Sequence, residues 1–347
     1  MKYNQPYGLD EEVALYSVPY VNGNPTTGTM GSIPPAASIE HGQREIVAVI
    51  QWAFDHGYYD YAAQLCQAPT TADLTQLLKA IFGIMNSRLL TAPRDYYVDG
   101  VSGNDANDGL SVGKPFKTLQ AAQNALVKFN LNGFNVHVHV APATYAPLYV
   151  GSIGGSGQIM WTGDPAVPAN CHVSSPLGSA ILVAGVGDYH FNGFKVSSAQ
   201  NGPGIVASGF ETWGPGTATI WSMEFGFCKD VHMYAYNGSL LGVMGPLRVT
   251  GNALRAHAEG ASGGRLIQHS LNKPTMNITV PCNMTAWAIF GTTSQGWLFY
   301  DSITGYANVT GQKFNVAMNS IIVTNGAGVG YLPGTTPGAL STGGQYL

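Results

Sequence analysis

Ala180-Ile181-Leu182-Val183-Ala184 and Tyr189-His190-Phe191-Asn192-Gly193-Phe194-Lys195-Val196 are two apolar runs divided by Gly185-Val186-Gly187-Asp188, a stretch built of turn-forming residues. Short apolar runs bounded by Gly, Asn, Ser and Pro read as buried strands joined by turns. The same grammar recurs outward from this point, at Ile159 to Trp161, Thr219 to Phe227, Met276 to Val280, Trp287 to Phe290, Trp297 to Tyr300 and Asn319 to Val323. It starts at Tyr96 and runs almost to the end of the chain. The spacing is roughly twenty residues, with scatter, which suits one β-helix coil per repeat. A sandwich or barrel would carry shorter and more even hairpin signals, yet Asn-Gly stands near such runs only at Asn237-Gly238 and Asn325-Gly326.

The composition agrees with a mainly β chain. Of 347 residues, 45 are Gly and 20 are Pro while 10% are charged, a balance that favours short strands and tight turns. A formal net charge of −4 and the lack of any Lys/Arg run give no basic face for phosphates, so nucleic acid is not an expected partner. Cys66, Cys171, Cys228 and Cys282 are widely separated and read as small buried hydrophobes rather than a disulfide framework. Met1-Lys2-Tyr3-Asn4-Gln5-Pro6 has no apolar signal-peptide core, and no stretch reaches the roughly 18 apolar residues of a membrane span. Synthesis in a cytoplasm, with no signal peptide, is expected.

Before Tyr96 the pattern differs. Residues 1 to 37 show no hydrophobic period and read as an extended arm. From Ser38, a capping residue, Ile46, Val49, Ile50 and Ala53 recur at helical spacing, and Gly57 follows. Thr70 with Asp73 resembles a capping box ahead of Leu74, Leu77, Leu78, Ile81 and Phe82, which marks a second helix. Tyr58, Tyr59, Tyr61, Ala62, Ala63 and Leu65 suggest a short third helix between them. The domain boundary is placed near Thr91-Ala92-Pro93, giving 1–92 as arm and helical unit, 93–325 as β-helix and 326–347 as a Gly/Thr/Pro-rich end. Within the β region, Phe116, Leu119, Ala122, Leu126 and Phe129 form one further helical stripe, suited to covering the open first coil.

Tyr96-Tyr97-Val98-Asp99-Gly100, then Ser102-Gly103-Asn104-Asp105 through Asn107-Asp108-Gly109, then Pro115-Phe116-Lys117-Thr118-Leu119-Gln120-Ala121-Ala122, resemble the opening of pectin-lyase-like right-handed parallel β-helices. Val136-His137-Val138-His139-Val140-Ala141-Pro142 with Thr144-Tyr145 is similar to that family's first coil. Gly31-Ser32-Ile33-Pro34-Pro35-Ala36-Ala37-Ser38-Ile39-Glu40-His41, with Gln43-Arg44-Glu45-Ile46-Val47 and Ala72-Asp73-Leu74-Thr75-Gln76-Leu77, is similar to the opening of bacteriophage and prophage tail-fibre proteins. Gly330 to Gly334 and Thr342 to Leu347 look like the ends of such fibres. The resemblance implies a virion component, a homotrimeric tail fibre or tail spike. Its N-terminus would dock on tail-tip or baseplate proteins through Ile33, Pro34, Pro35, Ile39, Arg44 and Glu45. The β-helix would attach to a host surface polysaccharide or other receptor.

Glycoside hydrolysis requires two carboxyl groups about 5 to 9.5 Å apart, one protonated and one ionised. After Gly109 the carboxylates are Asp164, Asp188, Glu211, Glu224, Asp230, Glu259 and Asp301. Were the chain a depolymerase, Asp188, Glu211, Glu224 and Asp230 are the candidates, because Asp188 with Glu211, or Glu211 with Asp230, lie about one coil apart. The Asp/Arg clustering of a Ca²⁺-dependent lyase is missing, and the expectation leans away from an enzyme and from any cofactor. A purely structural tail-tip protein is the third reading. Aromatics offer flat faces to sugar rings: Trp213, in a loop-like stretch, Trp221, Tyr234 and Tyr236 are the glycan-binding candidates, while Trp161, Trp287, Trp297 and Tyr300 belong to the same strand-borne set. His137 and His139 share one face of their strand and read as a solvated outer face, not as a metal site. Asn104, Asp105, Asn107 and Asp108 read as Asx turns, not as a Ca²⁺ loop.

Overall fold

Alternation in Val136–Val140 becomes a pleat in which the three valines are buried and the two histidines face outward. A computed structural model describes residues 24, 26–27, 36–55, 77–78, 81, 88–200, 210–214, 216–268 and 273–347. The chain divides between Arg88 and Leu89 into two units.

In the first unit, helix α1 spans Ala36–Asp55. Of its expected apolar stripe, Ile50 is buried, whereas Ile46 and Val49 remain exposed beside Val47 and Trp52. Leu77, Leu78 and Ile81 are helical. The remainder of the second expected helix, the third helix and the arm lie outside the described residues, apart from a turn in which the Asn24 side chain accepts from the Thr26 amide.

The second unit is a parallel β-helix with three faces. A ten-stranded sheet runs from Arg94–Val98 to Gln345–Tyr346, an eight-stranded sheet from Leu148–Val150 to Ala339–Leu340, and a seven-stranded sheet from Ala143–Tyr145 to Ser302–Thr304. Neighbouring strands within every sheet are parallel and about one coil apart in sequence. Seven coils therefore carry all three faces. Register partners are separated by 23 residues at Val136↔Ile159 and by 30 at Ile159↔Tyr189. The coil is longer than the twenty residues expected, because the apolar runs visible in sequence fall on all three faces. Ile159 to Trp161 lies on the ten-stranded face and Ala180 to Ala184 on the eight-stranded face, so their spacing measures part of a coil.

Inward side chains stack from coil to coil. Tyr96, Val138, Trp161, Phe191, Ile220 and Val243 form one such column, with Trp161 and Phe191 stacked at 6.1 Å. Phe210 meets Phe191 edge-on at 5.1 Å, joining the eight-stranded face to the ten-stranded one. Apolar area is therefore buried both between successive coils and across the interior of each one.

Both ends of the column are covered. Helix α2, Leu119–Leu126, is capped by Thr118, whose hydroxyl accepts from the Ala121 amide at 3.1 Å, and it buries Leu119, Ala122 and Leu126. It packs against Arg94–Val98 and Leu148–Val150, the first strands of two sheets, as the sequence stripe implies. The Gly109 turn fits only a glycine, since φ is +68° and an added Cβ would lie 2.2 Å from the Phe116 ring. At the other end, the segment 326–347 supplies the short strands Ala339–Leu340 and Gln345–Tyr346, and Tyr346 stacks on Phe314 at 4.2 Å. Asn237 and Gly238, both at positive φ, turn the chain from one face to the next and make no hairpin.

Polar side chains also lie wholly inside, a histidine pair among them. His232 and His257 are fully buried, with their Nδ1 atoms 3.0 Å apart, and His232 Nε2 lies 3.1 Å from the Gly226 carbonyl oxygen. Burial keeps both rings neutral, and with Nε2 of His232 donating to that oxygen its Nδ1 then accepts from Nδ1–H of His257. His257 also stacks on Trp287 at 4.3 Å.

Candidate functional site

Outward positions on the ten-stranded face form columns fixed by register. One column reads Asp95, His137, Met160, His190, Thr219, Gly242, Ile267 and Trp297. The next, two residues along each strand, reads Tyr97, His139, Thr162, Asn192 and Trp221. At about 4.8 Å per rung, Tyr97 and Trp221 mark the ends of a strip about 19 Å long. Two ring pairs stand on it: Tyr97 on His139 at 5.0 Å and 18°, and His190 on Trp221 at 5.1 Å and 22°. Each histidine is also held by a carboxylate, His139 by Asp95 at 2.7 Å and His190 by Asp188 at 2.8 Å. Amide and hydroxyl groups lie between and beside the ring pairs at Thr162, Asn192 and Gln158, and Gln158 donates to Asp188 at 3.2 Å. A pocket of about 260 Å³ opens beside the first pair, lined by Tyr97, His139, Thr162, Val112 and Pro115. Burial and the neighbouring His139 hold the His137 pKa below its ordinary range.

The four candidate acids fall on three faces. Asp188 starts a strand of the ten-stranded sheet, and Glu211 lies in the eight-stranded sheet, so the expected Asp188 and Glu211 stack does not form. The sequence spacing suggested it, but consecutive acids had turned a corner of the coil. Glu224 faces outward from the seven-stranded sheet, where Lys195 at 2.9 Å, Arg248 at 3.8 Å and the Thr250 hydroxyl at 2.7 Å hold it. Asp230 precedes the strand Val231–Tyr236 and pairs with Arg255 at 3.2 Å. Glu211 is in register with Tyr234, four residues beyond Asp230, so those two acids are about 13 Å apart along the strand direction and not stacked.

The acid that does stack with Glu211 is Glu259. Register runs Glu211↔Tyr234↔Glu259, which sets the two backbones two rungs, or about 10 Å, apart with a tyrosine between them. Glu211 accepts from the Ser179 hydroxyl, and Glu259 is bonded to Arg255. Burial pushes the Glu259 carboxyl up to about 7 despite the Arg255 charge, and burial also raises Asp230. Both glutamates are only 3% exposed, so a polymer has no access to them. No local pattern in the sequence marked Glu259, because Arg255 stands four residues before it and that spacing signals a pair on a helix, not on a strand.

Of the aromatic candidates, Trp221 is half-buried on the open strip. Tyr234 is buried and Tyr236 half-buried, stacked on each other at 5.6 Å on the eight-stranded face. Trp213 ends the strand Phe210–Trp213 in register with Tyr236, a correction to its loop assignment, and its side chain lies outside the described residues. Trp161, Trp287 and Tyr300 belong to the interior, while Trp297 is 41% exposed. Arg44 and Glu45 are exposed on α1, whereas Ile33, Pro34, Pro35 and the Ile39 side chain lie outside the described residues.

The acidic loop consists of turns and a clamp. Asn104 and Asp108 accept from the amides two residues on, while Asp105 accepts from the Lys117 and Thr118 amides at 2.8 and 2.9 Å. Cys171, Cys228 and Cys282 are buried, Cys66 lies outside the described residues, and burial pushes Cys171 and Cys282 up to about 11. No helix among the described residues is long and apolar enough to cross a membrane.

No family model matches the chain, and no curated protein matches it. Among solved structures, the pectin methylesterase from Aspergillus niger in its penultimately deglycosylated form is similar over 72% of this chain and 84% of its own, at 12% identity and a TM-score of 0.36. The deglycosylated form of that enzyme is similar over 72% and 83%, at 13% identity and a TM-score of 0.33.

Proposed function

We propose that this chain is a bacteriophage tail-fibre or tail-spike component that attaches the virion to a host surface glycan. In this reading it is docked to tail-tip or baseplate proteins by its N-terminal unit and assembled as a homotrimer. The observation that carries the binding role is the half-exposed strip on the ten-stranded face. Stacked Tyr97–His139 and His190–Trp221 pairs there offer ring faces to the CH groups of sugars, and Thr162, Asn192 and Gln158 offer hydrogen bonds. The docking role is supported by the tail-fibre-like residues around Arg44 and Glu45 and by the exposed apolar side chains Ile46, Val47, Val49 and Trp52 on α1.

A second reading, a polysaccharide depolymerase, is favoured by one observation. Burial raises the Glu259 carboxyl toward the range in which a general acid keeps its proton, two rungs from Glu211. Its burial weighs against this.

The test incubates the full-length protein with polysaccharide extracted from a susceptible host and follows retention and the release of reducing or unsaturated ends. Retention without new ends, lost in Tyr97→Ala and Trp221→Ala, is the expected result. New ends that disappear in Glu259→Gln would establish the depolymerase instead. Neither retention nor release would leave a structural mount for another receptor-binding chain.

A further inference from the structure

Sequence alternation puts His137 and His139 on one face of a strand, and a third donor joins them only through the fold. Asp95 is the register partner of His137 on the neighbouring strand, so its carboxylate projects from the same face one rung away. One potential ligand atom from each of the three residues lies within 4.8 Å of the others. Asp95 Oδ1 is 2.7 Å from His139 Nε2, and the His137 and His139 rings are tilted together with centroids 4.9 Å apart.

We propose that Asp95, His137 and His139 form a binding site for a divalent transition metal of the zinc class, with three protein ligands and an open fourth position. Two imidazoles and one carboxylate match the borderline-soft character of Zn²⁺ and disfavour Ca²⁺ or Mg²⁺, which take oxygen ligands. Metal bonds of 2.0 to 2.2 Å put tetrahedral ligand atoms about 3.3 Å apart, so the 4.8 Å spread closes with a side-chain rotation of His137. Little restrains that rotation, because the ring's contact with the Thr162 hydroxyl is 3.3 Å long and His137 is only partly buried. The other two ligands are already adjacent, and the hydrogen bond between them opens from 2.7 Å to about 3.3 Å as the metal replaces the shared proton. The ring of His139 lies flat on Tyr97, and Asp95 points at its Nε2. Backbone register holds the three Cα positions, so the ligands start on a rigid sheet rather than on a loop. The pocket lined by Tyr97, His139, Thr162, Val112 and Pro115 borders the ligands and leaves room for water or an oxygen-bearing ligand at the open position.

The same face carries a built-in control. His190 and Asp188 pair at 2.8 Å with no third His, Cys, Asp or Glu among the described residues brought up beside them, so that pair lacks a chelating set. The site does not depend on the glycan reading, and its test needs no polysaccharide.

Calorimetric titration of the full-length protein with Zn²⁺ at pH 7.5 is expected to show one high-affinity site per chain. His137→Ala, His139→Ala and Asp95→Ala each weaken it by about 100-fold or more, since outer-shell changes alone cost 10- to 100-fold. His190→Ala leaves it unchanged. Co²⁺ substituted at the site should give a visible band without thiolate charge transfer, and Ca²⁺ should not compete. Far-UV circular dichroism of the variants, whose changes are on an exposed face, checks that the solenoid is intact. Wild-type protein that binds no Zn²⁺, a site that survives His137→Ala and His139→Ala, or loss of the site in His190→Ala would each overturn the proposal.

Discussion

Acidification should destabilise the coil interior through one residue pair. His232 is fully buried, and burial drives its pKa from an ordinary 6.5 to about 4. Its Nδ1 accepts from His257 in the assignment above, so a proton there would set two N–H groups head to head. Between pH 6.5 and about 4 the unfolded chain therefore binds a proton that the folded chain refuses, and stability falls as pH falls. At about 1.4 kcal/mol per pKa unit, the loss accumulated by pH 4 is about 3 kcal/mol. His257, also held well below 6.5, adds to it in the same direction. Glu259 opposes them. Its carboxyl is raised from 4.5 to about 7, so folding favours the protonated form and stability rises as pH falls from 7 to 4.5. Because Glu259 offsets part of the histidine effect, the assay is differential: urea unfolding of wild type and His232→Gln at pH 7.5, 5.5 and 4. The variant is less stable at pH 7.5, and its deficit should shrink by about 3 kcal/mol at pH 4. A deficit constant to within about 0.5 kcal/mol across that range would refute the assignment of a buried neutral pair.

Glu259→Gln should flatten the opposite slope, removing about 3 kcal/mol of the stability that wild type gains between pH 7.5 and 4.5, again read from urea midpoints. Val183→Asp should prevent folding, because Val183 is fully buried between Val150 and Thr212 in successive coils and leaves a charge with no partner. Soluble protein from that variant with a wild-type circular dichroism spectrum would contradict the coil register. Phe191→Ala should cost about 3 to 5 kcal/mol in chemical denaturation, since its ring touches Trp161 in the preceding coil and Phe194 and Phe210 in its own; a loss under 1 kcal/mol would mean the interior collapses around the gap.

Much of the strand pattern was legible because each strand carries its own signature. Val136–Val140 alternates, Tyr189 to Val196 is apolar between glycines, and α2 shows its stripe and its Thr118 cap, all from residues within a few positions of one another. The coil length was not, because the connecting segments have no period. Ile159 and Tyr189 are 30 residues apart while Ala218 and Leu241 are 23 apart, and the difference lies in turns that leave the strands unchanged. Trp213 looked like a loop residue because Gly214, Pro215 and Gly216 follow it, yet pairing with Tyr236 keeps it in a strand.

The outer sites depended most on what sequence omits. Alternation alone put His137 and His139 on one face, but Asp95 joins them from 42 residues before His137 through the Asp95↔His137 register. The strip from Tyr97 to Trp221 is assembled from five strands of successive coils, none of which shows it alone. Glu211, Asp188 and Glu224 are near in sequence and separated by the corners of the coil, whereas Glu211 and Glu259 are far in sequence and two rungs apart. Local hydrophobic periodicity determined by itself that this chain makes short strands closed by turns and covered by an amphipathic helix. Only the tertiary structure decided which outward side chains meet, because register between coils is set by the packing of interior rings such as Trp161 and Phe191, and the outer face follows wherever that packing puts it.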